Sequence, residues 1–203
     1  VNEHSWLEDS RTIDIFDVKA DLLETLTAIE ININGLSVGR DTPGYYHPGR
    51  SGCVEMGPKN ILGFFGEIHP SILRNMGFRS RAVAFELFLD NIPVPKTGKA
   101  FTKEFLELSP YQAVERDFAF TVDVNRDSGE IVRAIRNVDK KLIKEVLVFD
   151  LFVDGTIGKH KKSIGIRVQL QPLQATFSDK EIDDISQKIV DNIGKKVGGQ
   201  LRK

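Results

Sequence analysis

Cysteine is almost absent from this chain of 203 residues: Cys53 stands alone, so no disulfide can close within it. That excludes a small domain stapled by disulfides, and a cytoplasmic compartment is the expectation. Long apolar runs are missing too. No stretch approaches the roughly 18 uninterrupted apolar residues of a membrane span, so no membrane partner is predicted. The opening residues Val1-Asn2-Glu3-His4-Ser5 have neither the basic nor the apolar segment of a signal peptide, and a valine in first place suggests a piece of a longer protein. Histidine is sparse: His4, His47, His69 and His160 show no metal-ligand spacing with one another or with Cys53, so no metal site is expected. His47 and His69 each adjoin a proline in a turn, which favours structural roles. Cys53 has the character of a small core residue. Gly63-Phe64-Phe65-Gly66 lacks the Gly-Lys-Ser/Thr ending and following helix of a phosphate loop, and is expected to be a bend between strand residues.

What is present suffices for one large domain or two ordinary ones: 40% of the residues are hydrophobic and 28% charged. The net charge of −1 conceals an asymmetry. Residues 1–109 hold 11 Lys/Arg against 15 Asp/Glu, and residues 110–203 hold 17 against 14. So small a positive excess is a weak polyanion trap, and charge alone assigns no nucleic-acid partner. Asn91-Ile92-Pro93-Val94-Pro95-Lys96-Thr97-Gly98-Lys99 interrupts any regular element. It predicts a first domain over 1–97 and a second, with its linker, over 98–203.

In the first block, Val18, Leu22, Leu23, Leu26 and Ile29 recur at helical spacing, predicting a helix over Asp17–Ile29. The turn-formers of Gly39–Gly52 follow. Strands are predicted at Cys53–Met56 and Ile61–Glu67, then a short helix from Pro70 to Met76 ended by Gly77, then a strand over Ala82–Leu89. The pattern is that of a mixed sheet, incomplete, as if it were the last part of a larger domain.

The second block is cleaner. Phe118, Phe120, Val122 and Val124 alternate with Ala119, Thr121 and Asp123, giving a strand with one buried face. Ser128 is expected to cap a helix over Gly129–Val138. Strands at Glu145–Val153 and His160–Leu170 flank a turn at Asp154-Gly155. Ser178 and Glu181 have capping-box spacing, opening a helix through about Ile193 with a stripe of Ile182, Ile185, Ile189 and Ile193. A short strand near Gln200-Leu201-Arg202 closes the order β-α-β-β-α-β. The fold class is therefore α+β, with a ferredoxin-like second domain.

In that topology both helices cover one face of the sheet. Burying Phe118/Phe120/Val122 and Ile164/Ile166/Val168 leaves Ala119, Thr121, Ser163, Gly165, Arg167 and Gln169 outward. The strand between is apolar on both sides: Leu147, Phe149 and Leu151 on one, Val146, Val148, Asp150 and Phe152 on the other. The charge of Asp150 assigns the second set to the open side. The open face then presents Ala119, Asp150, Phe152, Ser163 and Arg167 together, a set suited to an unstacked base. The same face could instead pack on another domain. The Lys159-His160-Lys161-Lys162 run could touch phosphate or be a solvated tip. Arg116 and Asp117 could pair with each other or meet RNA.

Ser109-Pro110-Tyr111-Gln112-Ala113-Val114-Glu115-Arg116-Asp117-Phe118-Ala119-Phe120, Phe149-Asp150, Lys162-Ser163, Thr176-Phe177-Ser178-Asp179 and Leu201-Arg202 resemble the ferredoxin-fold anticodon-binding domain of bacterial phenylalanyl-tRNA synthetase β subunits. Phe16-Asp17-Val18-Lys19, Tyr46-His47-Pro48-Gly49-Arg50-Ser51, Gly63-Phe64-Phe65-Gly66-Glu67-Ile68-His69-Pro70 and Phe85-Glu86-Leu87 resemble the end of that subunit's catalytic-like domain, which has a class II synthetase-like fold without catalytic residues. The resemblance implies an enzyme that joins phenylalanine to tRNA(Phe), using ATP and magnesium, as an (αβ)₂ assembly with an α subunit and a second β subunit. Bond-making would belong to the α subunit, so this fragment would contribute no catalytic residue and hold no cofactor itself. The family's anticodon contacts fall on Ala119, Asp150 and Ser163. A ferredoxin-like regulatory or structural module without RNA binding is the alternative. A regulatory module would want a glycine-rich ligand loop, and the sequence has no such loop.

Overall fold

The computed structural model describes residues 10–94, 109–154 and 157–202. The opening residues, the boundary run from Pro95 to Lys99, and Gly155 of the expected turn lie outside them. The chain divides into two units, Val1–Thr102 and Lys103–Lys203.

In the first unit, helix α1 spans Ile15–Ala28, starting two residues before the predicted helix. Its apolar periodicity begins at Val18, but its cap lies further back. The Asp14 carboxylate accepts from the Phe16 N–H, and Asp17 accepts from the Asp14 N–H, each at 2.7 Å. Val18, Leu22 and Leu26 bury against Val54, Leu62 and Phe65. These belong to a sheet ordered β1-β2-β3-β4, where β1 is Ser37–Gly39, β2 Tyr46–Glu55, β3 Ile61–Ile68 and β4 Val83–Leu87. The four strands pair antiparallel throughout, so the parallel pairing of a mixed sheet is not among the described residues. Two expectations need correction. β2 begins at Tyr46, seven residues before the predicted Cys53, because the turn-formers run extended rather than turning. The ladder with β3 breaks between Tyr46 and Ser51, and Pro48, which has no N–H to offer, falls inside that break. Gly63-Phe64-Phe65-Gly66 is no bend: β3 runs straight through it. Helix α2, Pro70–Asn75, stands close to prediction.

The second unit follows the predicted order: β5 Val114–Asp123, α3 Ser128–Arg136, β6 Ile143–Phe152, β7 Lys161–Leu170, α4 Asp179–Val197 and β8 Gln200–Leu201. The sheet order is β6-β7-β5-β8, antiparallel at every described pairing. Strands β5 and β6 run parallel but are split by β7, as the ferredoxin-like βαβ requires. Ser128 is the first residue of α3 rather than its cap, which is Asp127. At α4 the Ser178/Glu181 box forms as predicted, with the Ser178 N–H donating to Glu181 at 2.8 Å. The helix continues one turn past Ile193 to a left-handed Gly198 (φ 71°), a conformation that favours a residue without Cβ. The core lies between sheet and helices. Phe118, Phe120, Val122, Ile164, Ile166 and Val168 face Ile131, Ile135, Ile185, Ile189 and Ile193. Each such side chain contributes about 1.5–3 kcal/mol by leaving water.

Candidate nucleic-acid interface

Strand register arranges the second unit's sheet into rows. Ala119 pairs with Gly165, which pairs with Asp150; Thr121 pairs with Ser163, which pairs with Phe152; Asp117 pairs with Arg167, which pairs with Leu147. Residues directly opposite share a face. Because Phe118, Phe120, Ile164 and Ile166 sit beneath α3 and α4, these rows emerge on the other side. The structure thus brings Ala119, Asp150, Phe152, Ser163 and Arg167 onto one face.

The route by which β6 arrives there differs from the alternation argument. Val146 and Val148 were expected beside Asp150 on the open side, with Leu147 and Phe149 covered. Instead Val146 is core and Val148 packs against it, while Leu147 and Phe149 are about half exposed. The cause is a bulge. Val148 opposes Ile166 but Asp150 opposes Gly165, leaving Phe149 as an extra residue. Between a first register shift after Ile143 and this bulge even-numbered residues point to the helices; after the bulge they point away. That is why β6 looked apolar on both sides.

The bulge also builds local structure. A Cβ at Gly165 would lie 2.9 Å from the Asp150 Cβ and 3.1 Å from the Phe149 ring, so this strand position is open only to glycine while both side chains keep their places. The Arg167 guanidinium carbon stands 5.6 Å from the Phe149 ring centre, within cation–π range. Arg167 is itself anchored. Its Nε and Nη2 donate to the two Asp117 oxygens at 2.8 Å each, and Glu115 lies 3.6 Å from its Nη1. That fork holds the Asp117 carboxyl below, and the guanidinium above, their ordinary pKa values. Asp117 therefore pairs across strands with Arg167, not with its neighbour Arg116, which points to the opposite face. A prop runs from Asp117 through Arg167 to Phe149, and Phe149 shares the space above Gly165 with Asp150.

Asp150 stands apart: it is exposed, and no hydrogen bond or ion pair engages it among the described residues. Ser163 is only 5% exposed, and its hydroxyl likewise has no described partner. Ala119 leaves the floor between them low. The lysine run divides: Lys162 donates to the Arg126 carbonyl, whereas Lys161 opposes Asp123 on the Ser163 side of the sheet. Phe149, Gly165 and Arg202 were not among the predicted site residues. The two-sided apolarity of β6 was the signal for the first two. In the sequence Arg202 stood out only within the closing strand and its Leu201-Arg202 motif, and its place opposite Ala119 follows from the β5–β8 register.

In the first unit, polar side chains find partners internally. Tyr45 and Tyr46 donate to Glu86 at 2.8 and 3.0 Å; burial first, then this carboxylate, raises both phenol pKa values. Glu67, 8% exposed, accepts from Arg50 at 2.7 Å and from Arg81 at 3.3 Å. Burial would raise its pKa, but the two arginines outweigh it and lower the value. His69 caps α2 by accepting from the Ser71 N–H, and His47 accepts from the Gly49 N–H. Cys53 is fully buried with its thiol directed to Glu55 at 3.2 Å, and burial pushes its pKa up, so it is no poised nucleophile. Among the described residues no three His, Cys, Asp or Glu side chains gather as metal ligands. Nor is any described helix long and apolar enough to cross a membrane.

Two family models match the chain: the ferredoxin-fold anticodon binding domain over residues 109–202, and the phenylalanyl tRNA synthetase beta chain CLM domain over residues 1–89. Among curated proteins, the phenylalanine–tRNA ligase beta subunit of Mesorhizobium japonicum is 43% identical over 98% of this chain and 25% of its own length. That of Bartonella henselae is 44% identical over 97% and 24%, and that of Bradyrhizobium diazoefficiens 45% over 93% and 24%. The chain spans about a quarter of the length of these relatives. Two domain families in this order, with relatives matched along nearly the whole chain, place it in the phenylalanyl-tRNA synthetase beta chain family.

Proposed function

We propose that the open face of the second unit binds the anticodon of tRNA(Phe), as part of an enzyme that attaches phenylalanine to that tRNA. Ala119, Asp150, Phe152 and Ser163 would meet the nucleotides, with Arg167 at their border. The observation that carries this reading is the free Asp150 carboxylate, in line with Ala119 and Gly165 on a face clear of α3 and α4. A carboxylate accepts from two adjacent N–H donors, which matches the exposed N1–H and N2–H₂ edge of guanine. Phe152 offers a half-exposed ring for stacking, and single-stranded bases are read by this combination of ring and polar edge. Ser163 can donate or accept beside it.

In this reading the domains run over 1–97 and 98–203, the first contacting the α subunit within an (αβ)₂ assembly. ATP and magnesium would serve the whole enzyme, with bond-making assigned to the α subunit. The test is filter binding of a tRNA(Phe) transcript to the assembled enzyme. Asp150→Ala should weaken binding by about 1–3 kcal/mol, or roughly 5- to 150-fold. Undiminished binding, with the wild type measurable, removes Asp150 from the site.

A further inference from the structure

The open face poses an electrostatic problem for any nucleic acid. Its rows carry Glu115, Asp117, Asp123, Glu145 and Asp150; of its cations, Arg167 is already committed to Asp117 and Glu115, and Lys161 stands opposite Asp123. A phosphate backbone approaching such a face needs a positive charge not already neutralised.

Register supplies one. β8 pairs with β5 through Thr121–Gln200 and Phe120–Leu201, and the Arg202 N–H continues the ladder by donating to the Ala119 carbonyl at 2.7 Å. Arg202 therefore stands opposite Ala119 and shares its face. The row of Ala119, Gly165 and Asp150 thus extends to a fourth member at the opposite edge of the sheet. Arg202 is exposed, and none of the described residues hydrogen-bonds or ion-pairs with its guanidinium. Three strand spacings, about 14 Å, separate the Asp150 and Arg202 backbones. Between the two backbones the row consists of Ala119 and Gly165, a low floor.

We infer that Arg202 is a further nucleotide-binding residue, holding a phosphate of the same single strand whose base meets Asp150. The inference rests on the proposed anticodon site and deepens it. The row has a polarity, an acceptor for a base edge at one end and an unpaired cation for the backbone at the other. A bound strand would lie with its bases toward β6 and its phosphates toward β8. Base contacts specify and phosphate contacts position, so the two residues should fail differently when changed.

The experiment measures tRNA(Phe) affinity of the assembled enzyme from about 50 to 200 mM salt. Arg202→Gln should weaken binding roughly 3- to 10-fold at low salt and reduce the log–log salt slope by about one phosphate contact. Arg202→Lys, which retains the charge, should keep the slope and most of the affinity. Asp150→Asn should weaken binding with the slope intact. An unchanged slope in Arg202→Gln, while Asp150→Asn still binds poorly, overturns the role of Arg202 and leaves the base site standing. A slope lost equally in Arg202→Lys also overturns it, since the arginine would then be acting through shape. If neither position affects binding, the anticodon reading falls as well.

Discussion

The two units treat polar side chains in opposite ways. In the first, charged and phenolic groups close on one another: Tyr45 and Tyr46 on Glu86, Arg50 and Arg81 on Glu67, Arg11 on Asp17. In the second, the face away from the helices leaves Asp150, Ser163 and Arg202 with no partner among the described residues. A group satisfied within its own unit contributes to that unit's stability. One left open adds little to that stability, and its loss should hardly be felt by the fold.

The sharpest way to strain this contrast is at the apolar core, where both faces of the second sheet depend on the same strand. Phe120→Ala, at a fully buried ring, should cost about 3–5 kcal/mol in denaturant unfolding. A cost under about 1 kcal/mol would mean the helices do not clamp β5 as described. Glu67→Ala should come next, at about 1–3 kcal/mol, because it leaves two guanidinium groups unanswered; their exposure keeps the figure toward the low end. The same carboxylate predicts a pH dependence. Its folded pKa lies below the ordinary 4.5, so its contribution is fully present above that value and is lost as pH falls through the lower, folded one. Acid titration of wild type against Glu67→Gln should show the wild type losing more stability below about pH 4.5. The smallest expected effect is Asp150→Asn, within about 0.5 kcal/mol in unfolding. A large loss there would erase the distinction between the units.

Much of the second unit was legible in the sequence because its alternation is strict. Phe118, Phe120 and Val122 in β5 and Ile164, Ile166, Val168 and Leu170 in β7 stand at alternate positions, and the Ser178/Glu181 spacing marked the start of α4. What was not legible traces to breaks in periodicity. The rule of two fails wherever a strand takes an extra residue, and β6 does so at Phe149. The outward assignment of Asp150 and Phe152 held because the charge of Asp150, not the count of residues, decided it. The early start of β2 was hidden by Pro48 and Gly49, residues that usually turn but can run extended where the ladder is interrupted. Arg202 was hidden for another reason: its neighbours lie 83 residues away at Ala119, a pairing that no local pattern announces.

Strand β6 lies at the margin of its sheet and shows solvent a line of large apolar side chains, Leu147, Phe149, Leu151 and Phe152. Such a margin is a ready template for another chain to add itself, the first step toward aggregates. The extra residue at Phe149 interrupts the even spacing of donors and acceptors that an added chain would need. The kink that turns a carboxylate outward therefore also breaks the regularity of that margin.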